Sequence, residues 1–372
     1  MRVIPIAVLA ACSAPPVISA PPAEPRTPEL GAPEPAPIAV PLQGCSWSFK
    51  GELAIGDRPY LLEIDTGSGV LALAGEACGD ACPDSRRDHR YVPGPGAIDE
   101  HEPASARYGG GYSGWSGQRF QDDVSVGGAS TRLSLFAISD ARRFFGMPCG
   151  TADGILGLDG SLTDDSPFQL VDRLADRGLP RVFALHECVS RGTLWIGGYD
   201  RESVTADPIY VAMGAYGNTL DVTGFDVGDA HLDLPPTAAL VDSGGPSILV
   251  PAPMFDRLAH AIAADATFAT YFGNASWFTG TRVAKPALSK AELDAQLPRL
   301  VVHAGAVTID MAATDSYLGI FRHGDETSYV SALHSSGNAS FVDLGNSVIR
   351  SRVVIFDRGT ARMGFAPALP CR

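Results

Sequence analysis

Tyr60-Leu61-Leu62-Glu63-Ile64-Asp65-Thr66-Gly67-Ser68 and Ala238-Ala239-Leu240-Val241-Asp242-Ser243-Gly244-Gly245 are the two stretches that decide how this chain folds. In each, an apolar run that reads as a buried strand delivers a carboxylate into a turn closed by glycine. One Asp-Thr/Ser-Gly triplet says little, because Asp often caps its own backbone in such a turn. This chain has one in each half and no third. Two carboxylates presented alike from two halves meet the requirement of an acid/base pair sharing one proton.

Outward from these turns, short apolar or alternating runs are broken by Gly, Asp and Pro, as in a mostly β protein. Gly51–Ile55, Tyr60–Ile64, Asp123–Val126, Leu133–Ile138, Thr193–Ile196, Ala238–Val241 and Val353–Phe356 read as strands. Helical spacing is confined to Pro167–Leu174, ending near Gly178, to Met254–Ile262 and to Ser289–Leu297, the last capped by Ser289. The chain also repeats weakly. The first Asp turn is followed by Asp153-Gly154-Ile155-Leu156-Gly157-Leu158, the second by Phe341-Val342-Asp343-Leu344-Gly345. A duplicated pair of lobes, 45–200 and 201–372, is the economical reading.

The 372 residues suffice for two lobes with separate cores. A net charge of −14, from 28 basic and 42 acidic side chains, excludes nucleic acid as an expected partner. At the N-terminus, Arg2 precedes an apolar run ending in Leu9-Ala10-Ala11-Cys12. That pattern resembles a lipobox, so residues 1–12 are expected to be a signal with Cys12 lipidated and the protein held at a cell envelope; secretion after cleavage near Ala20 is the alternative. Residues 13–44, rich in Pro and Ala, read as an extended tether. Without Cys12 six cysteines remain, an even number that in an exported chain reads as three disulfides. Cys78 and Cys82 are close enough to close a small loop.

In family order, these segments resemble pepsin-family aspartic peptidases. The resemblance runs from about Phe49 to Pro367 and takes in both Asp turns, the glycine-rich stretch from Tyr108, and Gly154-Ile155-Leu156-Gly157. It continues through Gly192-Thr193-Leu194-Trp195-Ile196-Gly197-Gly198, Leu344-Gly345-Asn346-Ser347-Val348-Ile349-Arg350 and the closing Val354–Ala366. It implies a bilobal, mostly all-β pepsin-like fold with a few short helices, with Asp65 and Asp242 meeting at the floor of a cleft. Thr66, Gly67, Ser68, Ser243 and Gly244 would support that pair. The implied activity is endopeptidase hydrolysis by a water held between the two carboxylates, with pepstatin-like inhibitors binding in its place. A flap would come from the Tyr108–Gly117 stretch, with Tyr108 or Tyr112 as its tyrosine. The resemblance also suggests the pairings Cys149–Cys188 and Cys45–Cys371. A catalytically silent relative that only binds proteins, as among plant xylanase inhibitors, is the competing reading; retention of both Asp and both Gly residues argues against it.

Three positions and one segment depart from the family pattern. Ala72 stands where the family often has a Trp bonded to the flap tyrosine, and Trp115 is the candidate substitute. Gly245 lacks the hydroxyl that Ser68 offers in the first turn. Asn346 replaces an Asp, and residues 13–43 hold a single basic residue, Arg26, where a zymogen segment would be basic. A monomer without cofactor or metal is expected. The eight histidines include no His-Glu-x-x-His and no pair at ligand spacing, and no G-x-S-x-G occurs. Gly109–Gly114 matches G-x-G-x-x-G, but no helix pattern follows it. Asn274-Ala275-Ser276 and Asn338-Ala339-Ser340 are glycosylation sequons, idle in a bacterial lipoprotein.

Overall fold

A computed structural model describes residues 36–370 except 46, 146–149, 161–168, 215–216, 281, 324–325 and 338–339. Cys12, Cys149 and Cys371 therefore lie outside the described residues, as does the expected signal. No helix among the described residues is long and apolar enough to cross a membrane.

Most of the first half belongs to a thirteen-stranded sheet. Ile38–Cys45 pairs with Ser48–Ile55 on one side and Arg191–Ile196 on the other. This corrects the expected tether, which was to run to residue 44. Pro and Ala mask the alternation there, yet Val40 and Leu42 are buried while their neighbours face out. On one flank the sheet continues through Arg58–Asp65, Gly154–Gly157, Leu71–Ala74, Ala129–Arg142, Ser113–Val126 and Ile98–Tyr108. On the other it passes through Val182–Glu187 to Arg352–Asp357, Arg362–Pro367 and Ile209–Ala212. Backbone pairing thus crosses the expected boundary at 200/201.

The second half builds a seven-stranded sheet of its own, and the two sheets repeat one arrangement around the Asp turns. In the first, Arg58–Asp65 runs parallel to Gly154–Gly157, which is antiparallel to Leu71–Ala74, itself parallel to Ala129–Arg142. In the second, Ala230–Leu240 runs parallel to Val342–Asp343, which is antiparallel to Ile248–Val250, itself parallel to Leu333–Ser335. Register makes Asp343 the counterpart of Ile155, since Glu63 faces Ile155 as Leu240 faces Asp343.

All seven expected strand segments form strands, Val241 alone falling past the end of Ala230–Leu240. Leu170–Ala175, Ala252–Ala263 and Lys290–Gln296 are helical, the last closed by a reciprocal capping box between Ser289 and Glu292. One further α-helix among the described residues, Ala266–Phe272, was not expected. Asp265 caps it through Phe268 N, Gly273 ends it at φ 90°, and Phe268 and Phe272 bury one face. A large apolar core runs beneath both halves, and a smaller cluster lies under the Ile98–Val126 hairpin. Cys78 and Cys82 are joined in that smaller cluster. Cys45 and Cys188 are also disulfide-bonded; the partners that the resemblance suggests, Cys371 and Cys149, lie outside the described residues.

Candidate active site

Asp65 ends the strand Arg58–Asp65, and Asp242 follows the end of Ala230–Leu240 by two residues. Each carboxylate accepts from the glycine of its own turn: Gly67 N to Asp65 Oδ1 at 2.8 Å, Gly244 N to Asp242 Oδ1 at 2.9 Å. Between them the middle residues lock the turns together. Thr66 N donates to Ser243 Oγ at 2.9 Å and Ser243 N donates to Thr66 Oγ1 at 2.8 Å. The two hydroxyls donate onward to Val241 O at 2.6 Å and Ile64 O at 2.7 Å. Both residues are fully buried, so every polar group in the lock is paired inside protein, where an unpaired one would be costly.

The glycines are required by the approach of the two Asp side chains. A β-carbon at Gly67 would lie 2.5 Å from Asp242 Cγ, and one at Gly244 would lie 2.5 Å from Asp65 Oδ1. Each turn's glycine faces the other turn's carboxylate. Any side chain there would push the pair apart.

The two carboxyl groups are not equivalent. Burial, then the negative charges of Asp65 and Asp343, hold Asp242 well above the ordinary carboxylate range, and a hydrogen bond to Asp65 acts in the same direction. Asp65 accepts from Ser68 Oγ as well as from Gly67 N. Gly245 supplies no such hydroxyl to Asp242, and even a β-carbon there would lie 2.9 Å from Asp242 Oδ2. Asp242 is thus held toward its protonated form, and the two carboxyls titrate as a pair.

Over this floor lies the hairpin of Ile98–Tyr108 and Ser113–Val126, turned by Gly109, Gly110 and Gly111, all at positive φ. Trp115 Nε1 donates to the Tyr108 hydroxyl at 3.2 Å. Burial pushes Tyr108 up to about 12, and the nearby negative charge of Asp65 acts in the same direction. Trp115 packs with Ala72 and Phe136 in the cluster below, so the indole comes from the hairpin strand over the small Ala72. Tyr112 is 63% exposed, beneath the Arg143 guanidinium. Of the two tyrosines, only Tyr108 reaches the site.

The eukaryotic aspartyl protease family model matches residues 48–368. The chain belongs to that family. It is also similar to an aspartic protease of Phaffia rhodozyma, 24% identical over 334 residues that cover 87% of this chain and 77% of the relative.

Two residues of this aspartyl protease family member escaped the sequence reading. Asn218 is fully buried and ties the halves together: its Nδ2 donates to Thr66 O at 2.9 Å and Leu158 O at 3.1 Å, while its main-chain carbonyl accepts from Val241 N. Nothing in Tyr216-Gly217-Asn218 marks it, because its partners are distant in sequence. Asp343 is the second. It repeats the geometry of the two catalytic-type turns, accepting from Gly345 N at 2.9 Å, and burial pushes it up to about 6. Asn346, by contrast, is clamped by Arg350 Nη2 at 2.7 Å. The family acid missing at 346 is thus offset by an acid at 343. Asp153, of the glycine turn in the first half, is structural: it pairs with Arg86 and accepts from Leu61 N. A cavity of about 660 Å³ lined by Trp47, Glu187, Lys290 and Arg350 contains neither Asp turn, so volume does not locate the chemistry here.

Proposed function

We propose that the protein is an aspartic endopeptidase in which Asp65 and Asp242 activate one water between them. The observation that carries this reading is the reciprocal lock of Thr66 and Ser243, which brings two carboxylates together closely enough to share one proton. Ionised Asp65, supported by Gly67 and Ser68, takes a proton from the water as it attacks the peptide carbonyl. Asp242 donates its proton to the carbonyl oxygen, and the tetrahedral intermediate collapses when a proton reaches the leaving amine. Tyr108, held by Trp115, closes over an extended peptide and excludes bulk water.

Digestion of a peptide library at acid pH, with pepstatin as competitor, tests the proposal. Asp65→Asn and Asp242→Asn should each leave a folded protein with less than about one thousandth of the activity, since residues acting as a unit fail together. Folded wild-type protein that cleaves nothing would instead mark a silent binding relative. The Leu9-Ala10-Ala11-Cys12 pattern and the Cys78–Cys82 disulfide support placing the activity outside the cytosol, on a lipid-anchored or secreted protein. Cys12→Ala should then release the protein from membranes; an unchanged membrane fraction speaks for another anchor.

A further inference from the structure

Three side chains far apart in sequence meet on the seven-stranded sheet, away from the Asp turns. Asp226, His231 and His303 each offer a ligand atom, and these atoms lie within 4.8 Å of one another. They stand on three neighbouring strands, Thr219–Val227, Ala230–Leu240 and Leu300–Ala304. Register explains the meeting: Asp226 is directly opposite His231, and His303 is opposite Gly224, two residues along the same strand face. Gly224 leaves room for the ring, since a β-carbon there would lie 3.3 Å from His231 Cε1. The Asp226 carboxylate bridges the imidazoles, with Oδ1 2.5 Å from His231 Nδ1 and Oδ2 2.7 Å from His303 Nε2. Asp233 stands beside them, 3.1 Å from His231 Nε2.

We propose that Asp226, His231 and His303 form a binding site for a divalent transition cation of the zinc class. Two imidazoles and one carboxylate are the donor set that such cations take, with nitrogen and oxygen at about 2.0–2.2 Å. Those lengths set a tetrahedral edge of about 3.4 Å, so donors already within 4.8 Å reach it by side-chain rotation alone. Each neutral ring presents to the cation the nitrogen that now faces Asp226 and carries its proton on the other ring nitrogen, and the cation's fourth position opens to solvent on the side where His231 is half exposed. Two neutral imidazoles, one carboxylate and a dication leave a single positive charge, which Asp233 offsets. Anchored on three paired strands, the site acts as a clip across the sheet and stabilises the folded state by mass action.

Equilibrium dialysis of the whole protein against Zn²⁺ at neutral pH, followed by elemental analysis, measures the stoichiometry. One equivalent is expected, with a visible ligand-field spectrum when Co²⁺ is used and a higher melting temperature with either cation. His303→Ala and His231→Ala should each weaken binding at least tenfold, whereas His260→Ala, at an exposed position of the helix Ala252–Ala263, should leave it unchanged. His303→Asn provides a second variant that keeps the polarity of the position. Absence of a stoichiometric equivalent, or binding indifferent to both histidines, overturns the proposal.

Discussion

The carboxylate at position 343 changes how the acid/base pair is expected to titrate. From sequence, the loss of a hydroxyl at Gly245 and the loss of an acid at Asn346 oppose each other. In the folded chain Asp343 restores the negative charge, and both effects now raise Asp242. A carboxyl raised in this way keeps its proton to higher pH, so the alkaline limb of kcat/KM moves up. Asp343→Asn removes the charge and should move that limb down by about 0.5–1 pH unit, which a pH–rate profile reads directly. An unmoved limb would show that Asp343 is screened from the pair. Gly244→Ala makes a second expectation at this scale. Its methyl would collide with Asp65 Oδ1, so activity should be lost together with about 1–3 kcal/mol of stability in urea unfolding. The two Asp turns were legible because an apolar strand and a glycine mark each of them. Asp343 was not, because only the pairing of Val342–Asp343 with Ala230–Leu240 carries it there.

At the scale of elements, the hairpin over the cleft owes its position to an indole on its own second strand. Trp115 supplies to Tyr108 a hydrogen bond that Ala72 cannot. Trp115→Phe keeps most of the packing against Phe136 and removes only the N–H donor. We expect kcat/KM to fall about tenfold, roughly the worth of one hydrogen bond in a site closed to water, with little change in melting temperature. An equal loss from Trp115→Phe and Trp115→Ala would assign the residue to packing instead. Strongly periodic helices and apolar strands could be read from sequence, and so could the Ser289 cap. Ile38–Cys45 could not, because its alternation is carried by Val40 and Leu42 amid Pro and Ala, and burial there depends on partners at Arg191–Ile196. The helix Ala266–Phe272 did carry a signal, Asp265 and Gly273 at its two ends, that a search for long periodic runs passes over.

Across the whole molecule, buried carboxyls favour acid conditions. Burial pushes Glu63 and Glu187 up to about 8, and Asp343 to about 6. An acid whose folded value exceeds its unfolded value, near 4, contributes stability that is complete below the unfolded value and is lost as pH rises through the folded one. Buried His186, held below its ordinary range by that burial, weakens the fold as pH falls under about 6.5. The carboxyls carry the larger shifts, so the urea midpoint should be highest near about pH 5 and decline toward about pH 8. A midpoint that rises steadily to pH 8 contradicts this balance. The doubled arrangement of the two sheets was visible as a weak repeat, whereas the joining of Arg352–Pro367, from the second half, to the first sheet was not, since no local pattern says which edge a strand will meet. That joining has a consequence for synthesis on the ribosome. Val182–Glu187 receives its neighbour only when Arg352–Asp357 has been made, so the nascent first half waits with an open sheet edge. At about 5–20 residues per second the wait is roughly ten to thirty seconds. During that interval the emerging chain offers a hydrogen-bonding template to any other strand nearby, and a chaperone that shields Val182–Glu187 would raise the yield of native protein more than one acting after release.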